Sequence, residues 1–453
     1  MFNMRSQRKE NKEIEEDGLI YKINEDKKTA EIIGIKSSNI EINIPRSVYK
    51  KSNEYIITSI SKGSFQFSNV KSVTFPADSE LLYIGNLAFS ESTIESFTIP
   101  PHLTIIKECA FNECRQLRKI EIPSNSGLQT IEKYAFTFTL IENFTIPPHL
   151  TEISECMFCN CQQLRTIEIP SNSELQSIDT AAFDGTSIEQ IEIPNSLIDL
   201  KEGWCCNAIK LTKINVSKNN PRYISYCDKM IIGKSSIESE NNYDVLVFCS
   251  RNVKTIEIPN FIKTIGPYAF ERCFQLSVVK IINNTNLQKI DKFAFLGTKI
   301  ENFTIPSQVN QILENAFSNC QKLLKFEIPT NSELQLIDKC AFYESAIESF
   351  IIPQHVNQIG EFAFSCCKKL CIIQIEDNSK LNKVNQNIFD GCNQIILMIP
   401  VNSNVHFIKN IKKSISKKND YDKLFSNVLI STRILEKSKP KVKESNHTSC
   451  NLF

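Results

Sequence analysis

The segment Ile265-Gly-Pro-Tyr-Ala-Phe-Glu-Arg-Cys-Phe-Gln-Leu276 has a second copy, Ile359-Gly-Glu-Phe-Ala-Phe-Ser-Cys-Cys-Lys-Lys-Leu370. Both copies contain an Ala-Phe pair, and related pairs recur along the chain at a nearly constant interval. The repeat aromatics are Phe65, Phe89, Phe111, Phe136, Phe158, Phe183, Phe270, Phe295, Phe317, Phe342, Phe364 and Phe389. Self-similarity at a fixed period of this length predicts a solenoid. A solenoid presents one long surface, which favours binding over catalysis.

Between the aromatics lies a short strand motif, as in Ile141-Glu-Asn-Phe144-Thr-Ile146-Pro147. Its apolar residues at positions 1, 4 and 6 match the L-x-x-L-x-L strand of a leucine-rich repeat. Proline then ends the strand, because it has no N–H for the ladder. The predicted fold class is therefore a β-rich leucine-rich-repeat solenoid with about 14 coils of about 23–24 residues.

The rhythm breaks once, because the interval between Pro194 and Pro259 is more than twice the length of one coil. Met230-Ile-Ile232 and Asp244-Val-Leu-Val-Phe248 within this interval predict a β-hairpin projecting from the solenoid. The predicted organisation is a disordered charged N-terminus (1–17), an N-terminal β cap (18–60) with a hairpin around Asn24 to Lys28, a first repeat block (61–216), the hairpin insertion (217–250), a second repeat block (251–400), a C-terminal cap or basic helix (401–435) and a basic disordered tail (436–453).

Composition limits the function classes. The chain has 453 residues, 41% of them hydrophobic, and a net charge of +1. This balance of charge argues against nucleic acid as a partner. The chain has no long uninterrupted apolar run, so no transmembrane helix is expected. The charged N-terminus has no apolar signal-peptide core, which predicts synthesis in the cytosol.

The 17 cysteines follow the repeat. Six of them stand three residues after the repeat aromatic, a position called here the cysteine slot: Cys114, Cys161, Cys273, Cys320, Cys367 and Cys392. Other coils carry Ser or Thr in the slot, so most slot cysteines are two coils, about 9–10 Å, apart and too distant for a disulfide. Cys367 and Cys392, in adjacent coils, are the exception. The slot is interpreted as a small, buried and reduced position, which suits a reducing compartment.

No catalytic, cofactor-binding or metal site is predicted. Gly233-Lys234-Ser235 lacks the first glycine of a phosphate-binding loop, because position 228 is Asp228. Cys156, Cys159 and Cys161 have metal-like spacing, but Phe158 between them occupies the repeat core. The five histidines form no constellation with a nucleophile.

The motif Ile-Gly-x-x-Ala-Phe-x-x-Cys-x-x-Leu resembles the repeat of the BspA-like leucine-rich repeat family of surface and adhesion proteins. The resemblance covers about residues 60–400 and recurs a dozen times. It implies a curved solenoid without catalysis that binds host or matrix protein. The missing signal peptide and membrane anchor depart from conventional surface display.

The tail carries a second kind of signal. Cys450-Asn451-Leu452-Phe453 fits the C-a-a-X prenylation pattern, although Asn451 is not aliphatic. Lysines precede it at Lys437, Lys439, Lys441 and Lys443. One lipid chain beside a polybasic patch anchors a protein at an anionic membrane. The alternative is a chance cysteine in a cysteine-rich chain.

Positions 3 and 5 of each strand motif are expected to face outward. The candidate binding residues on this face are Thr98, Glu121, Thr145, Glu168, Glu192, Glu257, Thr304, Glu327, Ile351 and Ile372. A partner protein with spaced basic or hydrogen-bonding groups would fit the Thr and Glu positions, and the apolar later coils favour a contact patch there. The alternative is an ordinary solvated sheet face.

Two functions follow from these observations. The first is a non-enzymatic protein-binding module held at the cytosolic face of a membrane by prenylated Cys450. The alternative is a BspA-like adhesin at the cell surface that binds host or matrix protein after unconventional export. Both need a protein ligand on the sheet face, and neither needs a cofactor.

Overall fold

The computed structural model describes residues 13–36, 38–236, 242–282, 284–385 and 387–400, together with the backbone of 428–432. These residues form a β-solenoid of about 16 turns, which confirms the predicted fold class. They contain no helix, and hence none with the length and apolarity to cross a membrane.

One strand of each coil belongs to a series called here the front strands. Most front strands pair in parallel with the front strand of the next coil, so that Phe144 lies beside Ile167 and Thr145 beside Glu168. In most of the three-residue front strands the middle residue is buried and its neighbours are exposed, as the two-residue period of a strand requires. The front strands are β4 (Glu41–Asn43), β7 (Ser72–Thr74), β9 (Ser96–Thr98), β11 (Lys119–Glu121), β13 (Asn143–Thr145), β15 (Thr166–Glu168), β17 (Gln190–Ile193), β19 (Lys213–Val216), β23 (Thr255–Ile258), β25 (Val278–Ile281), β27 (Asn302–Thr304), β29 (Lys325–Glu327), β31 (Ser349–Ile352), β33 (Ile372–Ile375) and β35 (Ile395–Ile399).

A second series of two-residue strands, the back strands, follows the turn after the front strand. They also pair in parallel, for example Ile105 with Thr130 and Ile106 with Ile131. The back strands are β8 (Tyr83–Ile84), β10 (Ile105–Ile106), β12 (Thr130–Ile131), β14 (Glu152–Ile153), β16 (Ser177–Ile178), β18 (Asp199–Leu200), β24 (Thr264–Ile265), β26 (Lys289–Ile290), β28 (Gln311–Ile312), β30 (Leu336–Ile337), β32 (Gln358–Ile359) and β34 (Lys383–Val384). Most coils thus contribute one strand to each side, and the stacked coils enclose the apolar core.

The N-terminal strands cover the first coil. They are β1 (Glu13–Glu16), β2 (Leu19–Asn24), β3 (Thr29–Ile35), β5 (Ser47–Lys50) and β6 (Asn53–Ile60). β1, β2 and β3 pair antiparallel, and β6 joins β3 to the back strand β8. Disorder was expected over 1–17, and this is wrong for 13–16, because β1 has a partner strand in β2; residues 1–12 lie outside the described residues.

The repeat aromatics form a stack along the core. Neighbouring rings lie 4.8–6.0 Å apart and nearly parallel, and all except the partly buried Phe389 are fully buried. Two residues with left-handed backbone bracket the Ala-Phe pair, as Leu87 and Glu91 do around Phe89. Glycine takes the second of these positions at Gly185 and Gly297, where a positive φ is least costly.

The insertion differs from the prediction of a projecting hairpin. It has three antiparallel strands, β20 (Tyr223–Tyr226), β21 (Met230–Lys234) and β22 (Tyr243–Cys249). β22 also pairs in parallel with β24, so the insertion is built into the back of the solenoid. The predicted pairing of the two segments is confirmed, because β21 and β22 form an antiparallel hairpin. Its projection from the solenoid is wrong, because Ile231, Ile232 and Phe248 are buried.

At the C-terminal end, the last described strand is β36 (Val428–Thr432), which pairs in parallel with β35. Only this part of 401–435, the predicted cap or basic helix, is described, and it is a strand that extends the front series. The lysines of the predicted basic helix and tail, and Cys450, lie outside the described residues.

Candidate functional site

The outward side chains of the front strands form a surface that we call the front face. All ten predicted binding residues lie on it, and all ten are exposed. The strand register arranges them in rows, because parallel strands align position 5 of one coil with position 5 of the next. The structure therefore brings together residues that are 23 positions apart in sequence, such as Thr98 and Glu121.

Thr and Glu pair across neighbouring coils in this row. Hydroxyl groups donate to carboxylates from Thr98 to Glu121 (2.9 Å), Thr145 to Glu168 (3.1 Å) and Thr304 to Glu327 (2.6 Å). Lysines on the same strands, Lys119 and Lys325, form ion pairs with Glu121 and Glu327. The lysine and then the threonine contact lower the pKa of both carboxyl groups, so both are ionised at neutral pH.

The charge of three glutamates on the front face is not neutralised by an ion pair in the described part of the chain. Glu168, Glu192 and Glu257 form no ion pair with any residue in the described part of the chain. Glu168 and Glu192 lie on the paired strands β15 and β17, one strand spacing of about 4.8 Å apart. Two adjacent carboxylates without cations form a local negative site that a basic side chain of a partner can neutralise.

The second block of the front face becomes apolar. Ile351 is 45% exposed, Ile372 is 37% exposed, and Val278 is 43% exposed although sequence analysis did not select it. Ile372 lies beside Ile396 of the next strand, and β36 adds one further strand beyond it. This end therefore combines apolar side chains with a sheet that continues past the repeats.

The cysteine slot is buried, as its position after the repeat aromatic predicted. Five of its six cysteines have no exposed surface, and Cys392 is 8% exposed. The hydroxyl residues of the alternate coils contact these thiols, for example Thr139 Oγ1 and Cys161 Sγ at 3.2 Å. All described cysteines are free. Burial raises the pKa of most of these thiols, which keeps them protonated.

A buried ion pair lies where the two repeat blocks meet, and sequence analysis missed it. Arg251 Nη2 is 3.8 Å from Glu271 Oε2, and the two side chains are only 1% and 2% exposed. The guanidinium also donates to the carbonyl oxygen of Ala269 (3.4 Å) and lies over the ring of Phe248 (4.7 Å). A lone arginine after a strand carries no spacing signal that could have revealed this.

The backbone hydrogen-bond pattern of the repeat continues into the junction, although the side chains differ from the Ala-Phe pair. The Phe183 N–H donates to Trp204 O at 2.9 Å, as the Phe158 N–H donates to Ala182 O. Trp204 therefore occupies the Ala position of its coil, and Cys205 occupies the Phe position. The predicted first block, 61–216, included this coil, but its aromatic position was not assigned because neither residue matches the Ala-Phe pair.

A cleft of about 290 Å³ opens at the same junction. Its walls come from the last coil of the first block, the insertion and the first coil of the second block, including Trp204, Tyr223, Tyr268, Arg222 and Lys234. The Tyr223 hydroxyl accepts the Leu200 N–H (2.9 Å), which closes the edge of the back strand β18. The cleft could not be predicted from sequence, because its lining residues come from three separate segments that share no motif.

Among the described residues, no three or more His, Cys, Asp or Glu side chains are placed to hold a metal ion. Cys161 points into the core, whereas Cys159 is half-buried and its thiol donates to Asp184 at 3.6 Å. The three cysteines with metal-like spacing are therefore not gathered around one point.

Comparison with solved structures shows the same fold in bacterial proteins. A leucine rich cell surface protein of Faecalibacterium prausnitzii is 21% identical, with a TM-score of 0.60 over 82% of this chain and 94% of that one. The pneumococcal vaccine antigen PcpA is 16% identical, with a TM-score of 0.59 over 93% and 99%. A leucine-rich repeat protein of Bacteroides ovatus is 22% identical, with a TM-score of 0.52 over 92% and 100%.

No curated protein matches the chain in sequence. The family model of the BspA type leucine rich repeat region (6 copies) matches residues 47–148, 129–242, 241–335, 288–416 and 332–452. These matches cover most of the chain and agree with the repeat register, the front strands and the buried aromatic stack. The chain therefore belongs to the BspA-type leucine-rich repeat family.

Proposed function

We propose that this chain is a non-enzymatic protein-binding solenoid that presents its front face at the cell surface. The observation that carries the proposal is the front face, whose exposed rows repeat similar chemistry coil after coil. Stacked coils hold these side chains at a fixed spacing, so a partner with repeated groups engages several coils at once. The similar structures named as a cell surface protein and as a vaccine antigen support display at the surface.

The chemistry of the face defines the partner. Basic side chains of a partner would meet Glu168, Glu192 and Glu257, and apolar side chains would meet Ile351 and Ile372. Aromatic and apolar anchors dominate the energy of most protein interfaces, while exposed charges mainly guide association. The proposed contact is therefore centred on the apolar end, with the glutamates orienting the partner.

Replacing Ile351 and Ile372 together with glutamate is expected to weaken binding at least about tenfold, because loss of an apolar anchor costs more than about 1 kcal/mol. The measurement is biolayer interferometry of the full chain against purified fibronectin, laminin and collagen as host matrix probes. The matched control is Tyr83→Glu with Thr130→Glu, which adds two charges to exposed back-strand positions. Equal loss in both variants would show that general charge, and not the front face, governs binding.

Surface display has its own test. Protease added to intact cells is expected to cleave the solenoid within minutes, whereas a cytosolic marker protein stays whole. An intact solenoid under conditions that cleave a known surface protein would contradict surface display. It would not bear on the proposal that the front face binds a partner.

A lipid anchor at Cys450 is the second candidate, favoured by the C-a-a-X pattern and the lysines before it. In this case the front face would serve a partner at the cytosolic leaflet. The native protein is then expected to carry a prenyl mass, to lose its last three residues and to fractionate with membranes, whereas Cys450→Ser is soluble. An unmodified native protein in the soluble fraction would remove the anchor.

A further inference from the structure

The cysteine slot follows a rule in most of the solenoid: thiol and hydroxyl residues occupy it in alternate coils. The hydroxyl of one coil contacts the thiol of the next for Ser92 and Cys114 (3.5 Å), Thr139 and Cys161 (3.2 Å), Thr298 and Cys320 (3.4 Å) and Ser345 and Cys367 (3.4 Å). The alternation keeps each of these cysteines away from another slot thiol.

The alternation fails at one place. Cys367 and Cys392 occupy the slot in consecutive coils, with no hydroxyl residue between them. In coils with a hydroxyl residue in the slot, the outward strand residue follows four positions later, as Ser349 follows Ser345. In the other coils with a slot cysteine it follows five positions later, as Ile372 follows Cys367. Cys392 has the four-residue interval, because Ile396 follows it by four positions. Cys392 is therefore a thiol in a coil whose geometry belongs to the hydroxyl type.

The two thiols have the same orientation, one coil apart. Cys367 Sγ donates to the carbonyl oxygen of Phe342 and Cys392 Sγ donates to that of Phe364, each at 3.0 Å. Adjacent parallel coils are spaced by about 4.8 Å, which lies within the Cα separation of disulfides, about 4.4–6.8 Å.

We propose that Cys367 and Cys392 form an intrachain disulfide when the protein meets a disulfide oxidant. The inference stands on the slot geometry and does not rest on the proposed function, since the reaction needs only the folded chain and the oxidant. Oxidised glutathione represents the class of oxidant.

The reaction is thiol–disulfide exchange. The neighbouring Cys392 side chain lowers the pKa of Cys367, so Cys367 is the first thiolate. It attacks one sulfur of oxidised glutathione and releases one glutathione thiolate, which takes up the proton. Deprotonated Cys392 then attacks the Cys367 sulfur of the mixed disulfide and releases the second glutathione. The protein loses two electrons and two protons, and one oxidised glutathione becomes two reduced molecules.

Access is greatest at this end of the solenoid. β34 is the last back strand among the described residues, so no described coil stacks on the turn that carries Cys392. Cys392 is accordingly the only slot cysteine in the described chain with exposed surface, at 8%. Local opening of this coil admits the oxidant to both thiols.

The bond would tie together the two coils that form the apolar end of the front face. Cys367 leads into β33 with Ile372, and Cys392 leads into β35 with Ile396. Strands β33 and β35 are adjacent and paired in register. Oxidation therefore fixes the position of Ile372 relative to Ile396 and leaves both side chains chemically unchanged.

The test incubates the purified, reduced full-length chain with mixtures of oxidised and reduced glutathione, alkylates remaining thiols under denaturing conditions and measures intact and peptide masses. The expected result is a loss of about 2 Da, for two hydrogens, and a cross-linked peptide pair containing Cys367 and Cys392. The other slot cysteines are expected to be alkylated.

Matched variants identify the partner thiols. Cys392→Ser restores the alternation, so it should fold normally and lose the cross-link, as should Cys367→Ser. Cys366→Ser is the control, because Cys366 is adjacent in sequence and its sulfur lies beside Gly391. The inference is overturned if the cross-link survives in Cys367→Ser or disappears in Cys366→Ser, or if Cys367 and Cys392 both remain alkylated at every glutathione ratio.

Discussion

Replacing Phe317 with alanine is expected to lower the free energy of unfolding by about 3–5 kcal/mol. Its ring has no exposed surface and stacks between Phe295 (5.1 Å) and Phe342 (5.5 Å). The edges of two front-strand rings, Phe303 and Phe326, close the remaining sides at 5.0 and 5.1 Å. Alanine would leave a cavity that these four rings cannot fill, because each is held by its own coil.

Urea unfolding followed by circular dichroism measures this loss. The matched control is Phe67→Ala, which removes a ring that is 65% exposed. This control is expected to cost less than about 1 kcal/mol, and a loss that small for Phe317→Ala would contradict the stacked core. Because each coil contacts only its neighbours, the transition of Phe317→Ala is also expected to broaden, as the coils around the cavity unfold first.

The repeat made the stack and the front face predictable. In a solenoid the neighbours of a residue lie one period away in sequence, so the spacing of Phe295, Phe317 and Phe342 already states which rings touch. The outward positions followed in the same way, since strand alternation fixes which side chains face solvent. Thr98 and Glu121 could therefore be assigned to one face from sequence, and the structure adds that they form a hydrogen bond.

The junction could not be predicted, for two physical reasons. Trp204 and Cys205 keep the backbone register of the Ala-Phe pair but not its side chains, so a residue pattern placed this coil in the first block without assigning its core positions. The ion pair joins Glu271 to Arg251, which directly follows the insertion, and an insertion has no period from which such contacts can be counted. The binding role proposed for the front face depends on a partner, which no internal contact of the chain specifies.

Arg251→Met is expected to destabilise the protein by about 3 kcal/mol, the lower end of the cost of breaking a buried ion pair. It removes the buried cation of Glu271 and leaves only the partly exposed Arg272, whose Nε lies 3.0 Å from Oε1. The apolar core is divided into two clusters at this point, one in each repeat block. Arg251 bridges the division, with its Nη atoms near Cys205 of the first block (3.9 Å) and Cys273 of the second (3.8 Å). Differential scanning calorimetry and urea unfolding should therefore show the two blocks separating into distinct transitions.

The buried carboxylate of Glu271 makes the stability loss of Arg251→Met dependent on pH. Burial raises the pKa of Glu271, and Arg251 opposes this rise in the native protein. Without Arg251 the native state binds a proton more readily than the unfolded state, whose glutamate has a pKa of about 4.3, so stability falls as pH rises above that value. The deficit of Arg251→Met should therefore be smaller at about pH 5 than at about pH 7.

The double variant Arg251→Met with Glu271→Gln separates the charge from the packing. Glutamine keeps an oxygen for the Asn207 N–H, which the native carboxylate accepts at 3.1 Å. Replacing a buried pair as a unit is often close to neutral, so the double variant should recover most of the lost stability and lose the pH dependence. If it is as unstable as Arg251→Met at both pH values, the arginine acts through its packing on Phe248, and the ion pair does not hold the two blocks together.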